Sequence, residues 1–193
     1  MARTKEFDPD AALQSALELF WQRGYEATSM ADLVAHLGIA RASLYATFGS
    51  KHALYLKALE RYGEQQDPRL AEELSRPGPA LPAVRALVRR FAAEAGCASG
   101  RRGCFVTNTA VELGPHDPAA ARLVEACWDA LEGLLISALT RARAQGELPQ
   151  DSDPAALARM LLVFLQGLRV AGKTGSRPGL LHDAAEQILT LLD

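Results

Sequence analysis

Residues 28–51 read TSMADLVAHLGIARASLYATFGSK. Apolar side chains fall at Met30, Leu33, Val34 and Leu37, and again at Leu44, Tyr45 and Phe48. Spacings of three and four place each set on one helical face. Gly38 lies between them, and glycine takes positive φ at little steric cost, which suits the end of the first helix. The spacing predicts a helix-turn-helix, a unit whose second helix characteristically enters the DNA major groove. That second helix has two sides. Leu44 and Phe48 turn inward, while Arg41, Ser43, Ala46 and Thr47 lie elsewhere on its surface. Gly49 then breaks the helix, Ser50 caps the next one, and Lys51 enters its first turn. A lysine there opposes the helix dipole. A phosphate contact accounts for it, and so does an exposed lysine with no role.

The pattern resembles the N-terminal domain of the tetracycline-repressor (TetR) family of one-component transcriptional regulators. The matching residues are Ala16–Phe20, Gly24-Tyr25, Thr28, Ala31–Leu37, Gly38-Ile39, Leu44-Tyr45, Phe48, Lys51 and Leu54, about the first quarter of the chain. The resemblance implies phosphate-backbone contacts from Thr28, Tyr45 and Lys51, with Ser29 beside them. It also implies that Arg41, Ala42, Ser43 and Thr47 face the bases of a double-stranded DNA operator. The chain departs from the family at two places. Ala40 stands where a capping serine is common, and alanine cannot cap. Thr47 stands where histidine often precedes the phenylalanine.

The 193 residues carry a net charge of −2, which excludes a binder driven by bulk charge. Residues 1–51 hold five Lys/Arg against six Asp/Glu, so DNA binding there requires cations gathered on one face. Arg3 and Lys5 form either a DNA-contacting arm or a solvated tail. The polar start and the lack of a long apolar run predict a cytoplasmic protein with no membrane span. Three cysteines without an export signal argue against a disulfide scaffold.

Sparse β-branched residues and abundant Ala, Leu, Arg and Glu predict an all-α fold. Asp8, Pro9 and Gly24 bound a first helix with Leu13, Ala16, Leu17 and Phe20 inside. A long helix follows over Lys51–Glu73, and Pro77 to Pro82 break it. Further helices are expected over 82–95, 104–113, 117–145 and 153–171, with the last from Pro178 or Gly179. The total is about nine, the number the resemblance also implies. We expect a three-helix helix-turn-helix domain over residues 1–50 and a larger helical domain for ligand binding and dimerisation over 51–193. The last two helices carry broad apolar faces at Leu157, Leu161, Leu165 and Leu168, and at Leu181, Ala184, Ile188 and Leu192. These faces either bury within one subunit or form a homodimer interface, as the family does with two helices from each subunit. A two-fold dimer would read two half-sites.

Cys104, Asn108 and Glu112 recur every four residues on an otherwise apolar helix, and a polar stripe on a buried helix needs partners or a ligand. The resemblance places this segment near the pocket of a small-molecule effector. Trp128, with Phe91 and Phe164 on other helices, either lines an apolar cavity there or packs in the core. The alternative is that Asn108 and Glu112 bond neighbouring backbone or an arginine such as Arg169. Cys104, at a helix start beside Arg101 and Arg102, is either an inert buried thiol or a redox or electrophile sensor with Cys97 as resolving partner. Cys97, Cys104, His116 and Cys127 lack zinc-site spacing, so no metal is expected. No phosphate-binding glycine loop, nucleophile elbow or His/Glu metal motif is present, so neither enzyme activity nor a cofactor is expected. The rival from a different class is an all-helical binding module that does not touch DNA.

Overall fold

A computed structural model describes residues 7–175 and 178–193. Arg3 and Lys5 lie outside them. Among the described residues there are nine α-helices and no strands. Three form the head: α1 (Pro9–Arg23), α2 (Met30–Leu37) and α3 (Arg41–Phe48). The long α4 (Lys51–Ser75) leads to α5 (Ala80–Gly96), a 3-10 segment (Ala98–Arg102) and α6 (Phe105–Glu112). Then come α7 (Pro118–Ala144), α8 (Pro154–Gly172) and α9 (Pro178–Leu189), with a closing 3-10 turn at Thr190–Leu192.

Local chemistry sets the boundaries. Asp8, Asp117 and Asp153 each cap a helix whose first residue is proline, accepting the N–H groups left without carbonyl partners. Gly38 ends α2 in the left-handed region at φ 66°. Ala40 makes no side-chain cap at the start of α3, as its chemistry requires. α4 runs two residues past its expected end and contains Pro68, which leaves the Glu64 carbonyl without its helical donor.

Two apolar cores form. One joins Leu17, Phe20, Leu33, Leu44 and Phe48 of the head to Leu54, Tyr55 and Leu59 of α4, and also to Phe105, Leu113 and Val124. The head is thus packed on α6 and the start of α7. Tyr55 meets Phe20, Tyr25 and Phe105 edge-on, with ring centroids about 5 Å apart. The second core gathers Val84, Leu87, Val88 and Phe91 of α5 with Leu135, Leu139, Leu161, Leu165, Leu168, Leu181 and Leu192.

That second core corrects the expected dimer face. Leu161, Leu165, Leu168, Leu181 and Leu192 are buried within one subunit, and Leu157, Ala184 and Ile188 are half-buried. The most apolar stripe of α8 goes to the densest neighbours. Its other side leaves Val163 71% exposed with Val170 beside it, and α9 and its end leave Leu180 and Leu191 exposed. α8 is also long and apolar enough to cross a membrane by length and composition, contrary to the sequence expectation, but much of its apolar surface is in this core.

Candidate nucleic-acid interface and ligand cavity

The head presents α3 outward. Leu44 and Phe48 are buried in the first core, where α3 packs on α2 and α4, so Arg41, Ala42, Tyr45 and Ala46 are exposed and Ser43 and Thr47 half-exposed. The Arg41 guanidinium lies 5.6 Å from the centre of the Tyr45 ring. These two give the helix one cation and one aromatic hydroxyl, suited to phosphates and base edges.

Three expected DNA contacts have structural duties within the subunit. Thr28 is 0% exposed, and its hydroxyl donates to the Gly24 carbonyl at 2.7 Å. Its side chain is closed to phosphate. Ser29 is the N-cap of α2: its hydroxyl accepts the Asp32 N–H, and the Asp32 carboxylate accepts the Ser29 N–H. Lys51 Nζ donates to the carbonyls of Tyr25 and Thr28, both at 3.0 Å, and lies 3.9 Å from the Tyr25 ring centre. The lysine at the α4 start therefore ties down the α1–α2 turn.

Glu112 holds the same turn from the other side. Its carboxylate accepts the N–H groups of Tyr25 (3.1 Å) and Glu26 (2.9 Å). Gly24 permits this approach: its φ is +87°, and a Cβ there would meet the Glu112 carboxylate at 2.9 Å. Tyr55 and Thr109 share a 2.8 Å hydrogen bond, and His52 meets Asp117 at 2.6 Å. Burial works against the charge on Asp117, but the Ala120 N–H and His52 hold its carboxyl below the usual carboxylate range. The Trp21 indole N–H donates to the Gly103 carbonyl at 3.0 Å. The head is thus fastened to both ends of α6.

The N-terminal end of α6 borders a cavity of about 480 Å³. Its aromatic walls are Trp21, Tyr62 and Phe91, and its polar lining includes Gln66, Arg69, Glu73, Arg90, Glu94, Arg102, Cys104 and Arg169. A smaller void of about 30 Å³ shares Tyr62, Gln66, Leu70, Cys104 and Arg169 with it and adds Trp128 and Gln166. Burial holds the Tyr62 hydroxyl protonated, above the ordinary tyrosine range, as it does for Tyr55.

Of the residues expected around a ligand, Phe91 and Cys104 line the main cavity and Trp128 lines the smaller void. The other three are corrections. Asn108 donates to the Arg102 carbonyl at 2.9 Å and accepts from Lys173 at 2.7 Å, away from the cavity. Glu112 is spent on the head, and Phe164 packs against the second core. Cys104 is buried and receives Arg169 Nη1 at 2.8 Å; Arg102 instead lies over the Trp21 ring at 3.5 Å. Cys97 is exposed, and the Ser99 hydroxyl draws its thiol below the ordinary cysteine range. Trp21, Tyr62 and Arg169 were not expected at a ligand site, because they come from three helices far apart in sequence.

A short exposed reading helix, mounted on a helical body that holds a cavity, defines a helix-turn-helix DNA-binding regulator. The family comparisons agree. Residues 12–58 match the family described as bacterial regulatory proteins, tetR family, and residues 80–188 match the tetracyclin repressor-like C-terminal domain. The chain belongs to the TetR family and is a DNA-binding transcriptional regulator. It is 38% identical to the uncharacterized HTH-type transcriptional regulator YezE of Bacillus subtilis, over all of both chains. It is 35% identical to the HTH-type transcriptional repressor ComR of Escherichia coli, over 90% of this chain and 83% of ComR. A cysteine mutant of the TetR family regulator CifR, complexed with 26-bp double-strand operator DNA, superposes with a TM-score of 0.86 at 32% identity, covering 100% of both chains.

Proposed function

We propose that the protein is a homodimeric repressor, released from a pseudo-palindromic operator when a small molecule enters the cavity beside α6. The observation that carries this reading is the span of α6. Its N-terminal end forms cavity wall at Gly103 and Cys104, and its C-terminal end holds the turn of the head through Glu112. A ligand that shifts α6 therefore pulls directly on the α1–α2 turn as well as on α4. Release requires that the ligand favour the pose that does not fit DNA. ComR, a repressor, supports the sign of regulation. In this reading residues 1–50 read DNA, residues 51–193 hold the ligand and the partner subunit, and Trp21 reaches across from the head. Work on the chromosome places the protein in the cytoplasm.

The dimer forms through the exposed side of α8 and α9, at Val163, Val170, Leu180 and Leu191, with Ala184 and Ile188 at its edge. Exposed apolar groups on these two helices are the mark of an interaction surface. The test of the switch is an operator titration with and without effector. A ligand that fills the cavity and leaves operator affinity unchanged refutes it. Replacing Glu112 with Gln removes the charge that the two turn N–H groups bond. It should cost about 1–2 kcal/mol, a few degrees in melting temperature. The ratio of operator Kd with and without effector should also move toward one, and an unchanged ratio would show that coupling bypasses Glu112.

One observation favours a second reading of the signal. The Cys104 thiol lines the cavity with a guanidinium 2.8 Å from its sulfur, an arrangement suited to sensing an electrophile or oxidant. Cys104→Ser separates the two: a response that persists in the serine variant is non-covalent.

A further inference from the structure

We infer that the cavity takes a small organic anion, its acidic group against Arg169 and its apolar body against Tyr62, Phe91 and Trp21. This rests on the ligand-binding reading above and names the chemical class of the ligand.

The charge of the lining comes first. Four arginines and two glutamates border the cavity. Both glutamates are engaged by one arginine, Arg90, at 2.9 Å to Glu73 and 2.8 Å to Glu94. Among the described residues, Arg69, Arg102 and Arg169 meet no carboxylate within ion-pair distance. Arg69 and Arg102 are exposed at the rim, where water answers their charge. Arg169 sits deeper. Its guanidinium lies 4.4 Å from the centre of the Phe91 ring and gives one N–H to the Cys104 sulfur. A guanidinium has five N–H donors, and a thiol and a ring are weak company for a partly desolvated cation.

The hydrogen-bond inventory points the same way. Among the described residues three buried side-chain nitrogen or oxygen atoms lack a partner, and two of them belong to residues around the smaller void: Gln166 Nε2 and Trp128 Nε1. The Gln166 Oε1 is already taken by the Thr107 hydroxyl at 2.7 Å. Both unanswered groups around this void, which shares Arg169 and Tyr62 with the main cavity, are donors. A carboxylate offers only acceptors, about four lone-pair directions, and supplies the missing charge as well. A cation would face arginine and N–H groups. A primary amide would satisfy one or two donors but bring two more. In the main cavity, the three aromatic walls and a volume of about 480 Å³ suit a body of one or two rings.

The test is calorimetry on the full-length, DNA-free protein with matched probes: benzoate against benzamide, 2-naphthoate against 2-naphthamide, and benzamidine as the cation. At least one carboxylate should bind about tenfold or more tightly than its amide, and benzamidine should not bind. Arg169→Met should weaken that carboxylate about tenfold or more, whereas Arg101→Met, at an exposed neighbour outside the lining, should leave it unchanged. Trp128→Phe removes one unanswered donor and keeps an aromatic ring at that place. It should weaken binding severalfold, and it serves if the Arg169 variant does not fold. Amides bound as tightly as carboxylates, no carboxylate bound at all, or affinity unaltered in both Arg169→Met and Trp128→Phe would overturn the inference. The reading beneath it fails differently. A carboxylate that binds without lowering operator affinity leaves the anion site standing and removes ligand release. Operator release by benzamidine acting at this cavity does the reverse.

Discussion

Val163→Asp should convert the dimer to a monomer and lower operator affinity about a thousandfold, toward the level of non-specific binding. Val163 is 71% exposed on the face of α8 turned from the subunit core, and Leu191 is 61% exposed in the 3-10 turn after α9. A carboxylate at either place buries an unpaired charge at a subunit contact and nothing within the subunit. The fold should therefore survive, with unchanged helix content by circular dichroism, while sedimentation reports half the mass. The affinity loss follows because one eight-residue reading helix covers one half-site, and a dimer gains the second half-site without a second diffusional encounter. A dimer that persists in both Val163→Asp and Leu191→Asp would place the interface elsewhere.

Tyr45→Ala should lower operator affinity about a hundredfold with the melting temperature unchanged. Tyr45 is 39% exposed in the middle of α3, and alanine favours a helix. A hydrogen bond to a charged phosphate is worth about 1.5–3 kcal/mol, and the dimer has two copies; roughly 3 kcal/mol in all is about a hundredfold. Arg41 next to the ring gives the same surface its charge. Lys51 makes the contrast. Lys51→Met removes two bonds to turn carbonyls and the contact with the Tyr25 ring, so any loss of DNA binding should come with a lower melting temperature. Gel-shift titration beside thermal melting separates the two behaviours. Tyr45→Ala with full affinity would remove α3 from the interface.

The head was readable because its signals are local. Leu33, Leu44 and Phe48 repeat at helical spacing, Gly38 takes the left-handed turn, and the Asp-Pro pairs start α7 and α8 where expected. Misreadings arose where one residue type serves two partners. Lys51 and Thr28 suit a phosphate, but they suit carbonyl oxygens equally, and no spacing rule marks which carbonyl of a distant turn will be near. Cys104 and Glu112 share a helical face, which suggested one pocket wall. Eight residues rise about 12 Å, enough to put one at the cavity and the other at the head. On α8, the stripe through Leu161, Leu165 and Leu168 is the more apolar and so went to the core. The free stripe through Val163 and Val170 starts two residues on, about 200° around the helix. The cavity drew Trp21, Tyr62, Phe91 and Arg169 from α1, α4, α5 and α8, a grouping that only the packing of those helices creates.

Two α3 helices, held by a dimer, should read a two-fold DNA site. Selection of bound fragments from genomic DNA, followed by footprinting of the purified protein, tests it most directly. The expected result is a protected pseudo-palindrome whose half-sites are centred about one helical turn, roughly 34–36 Å, apart, and whose protection disappears with Tyr45→Ala. Protection of a single asymmetric site, or a palindrome bound equally well by the Tyr45 variant, would contradict it.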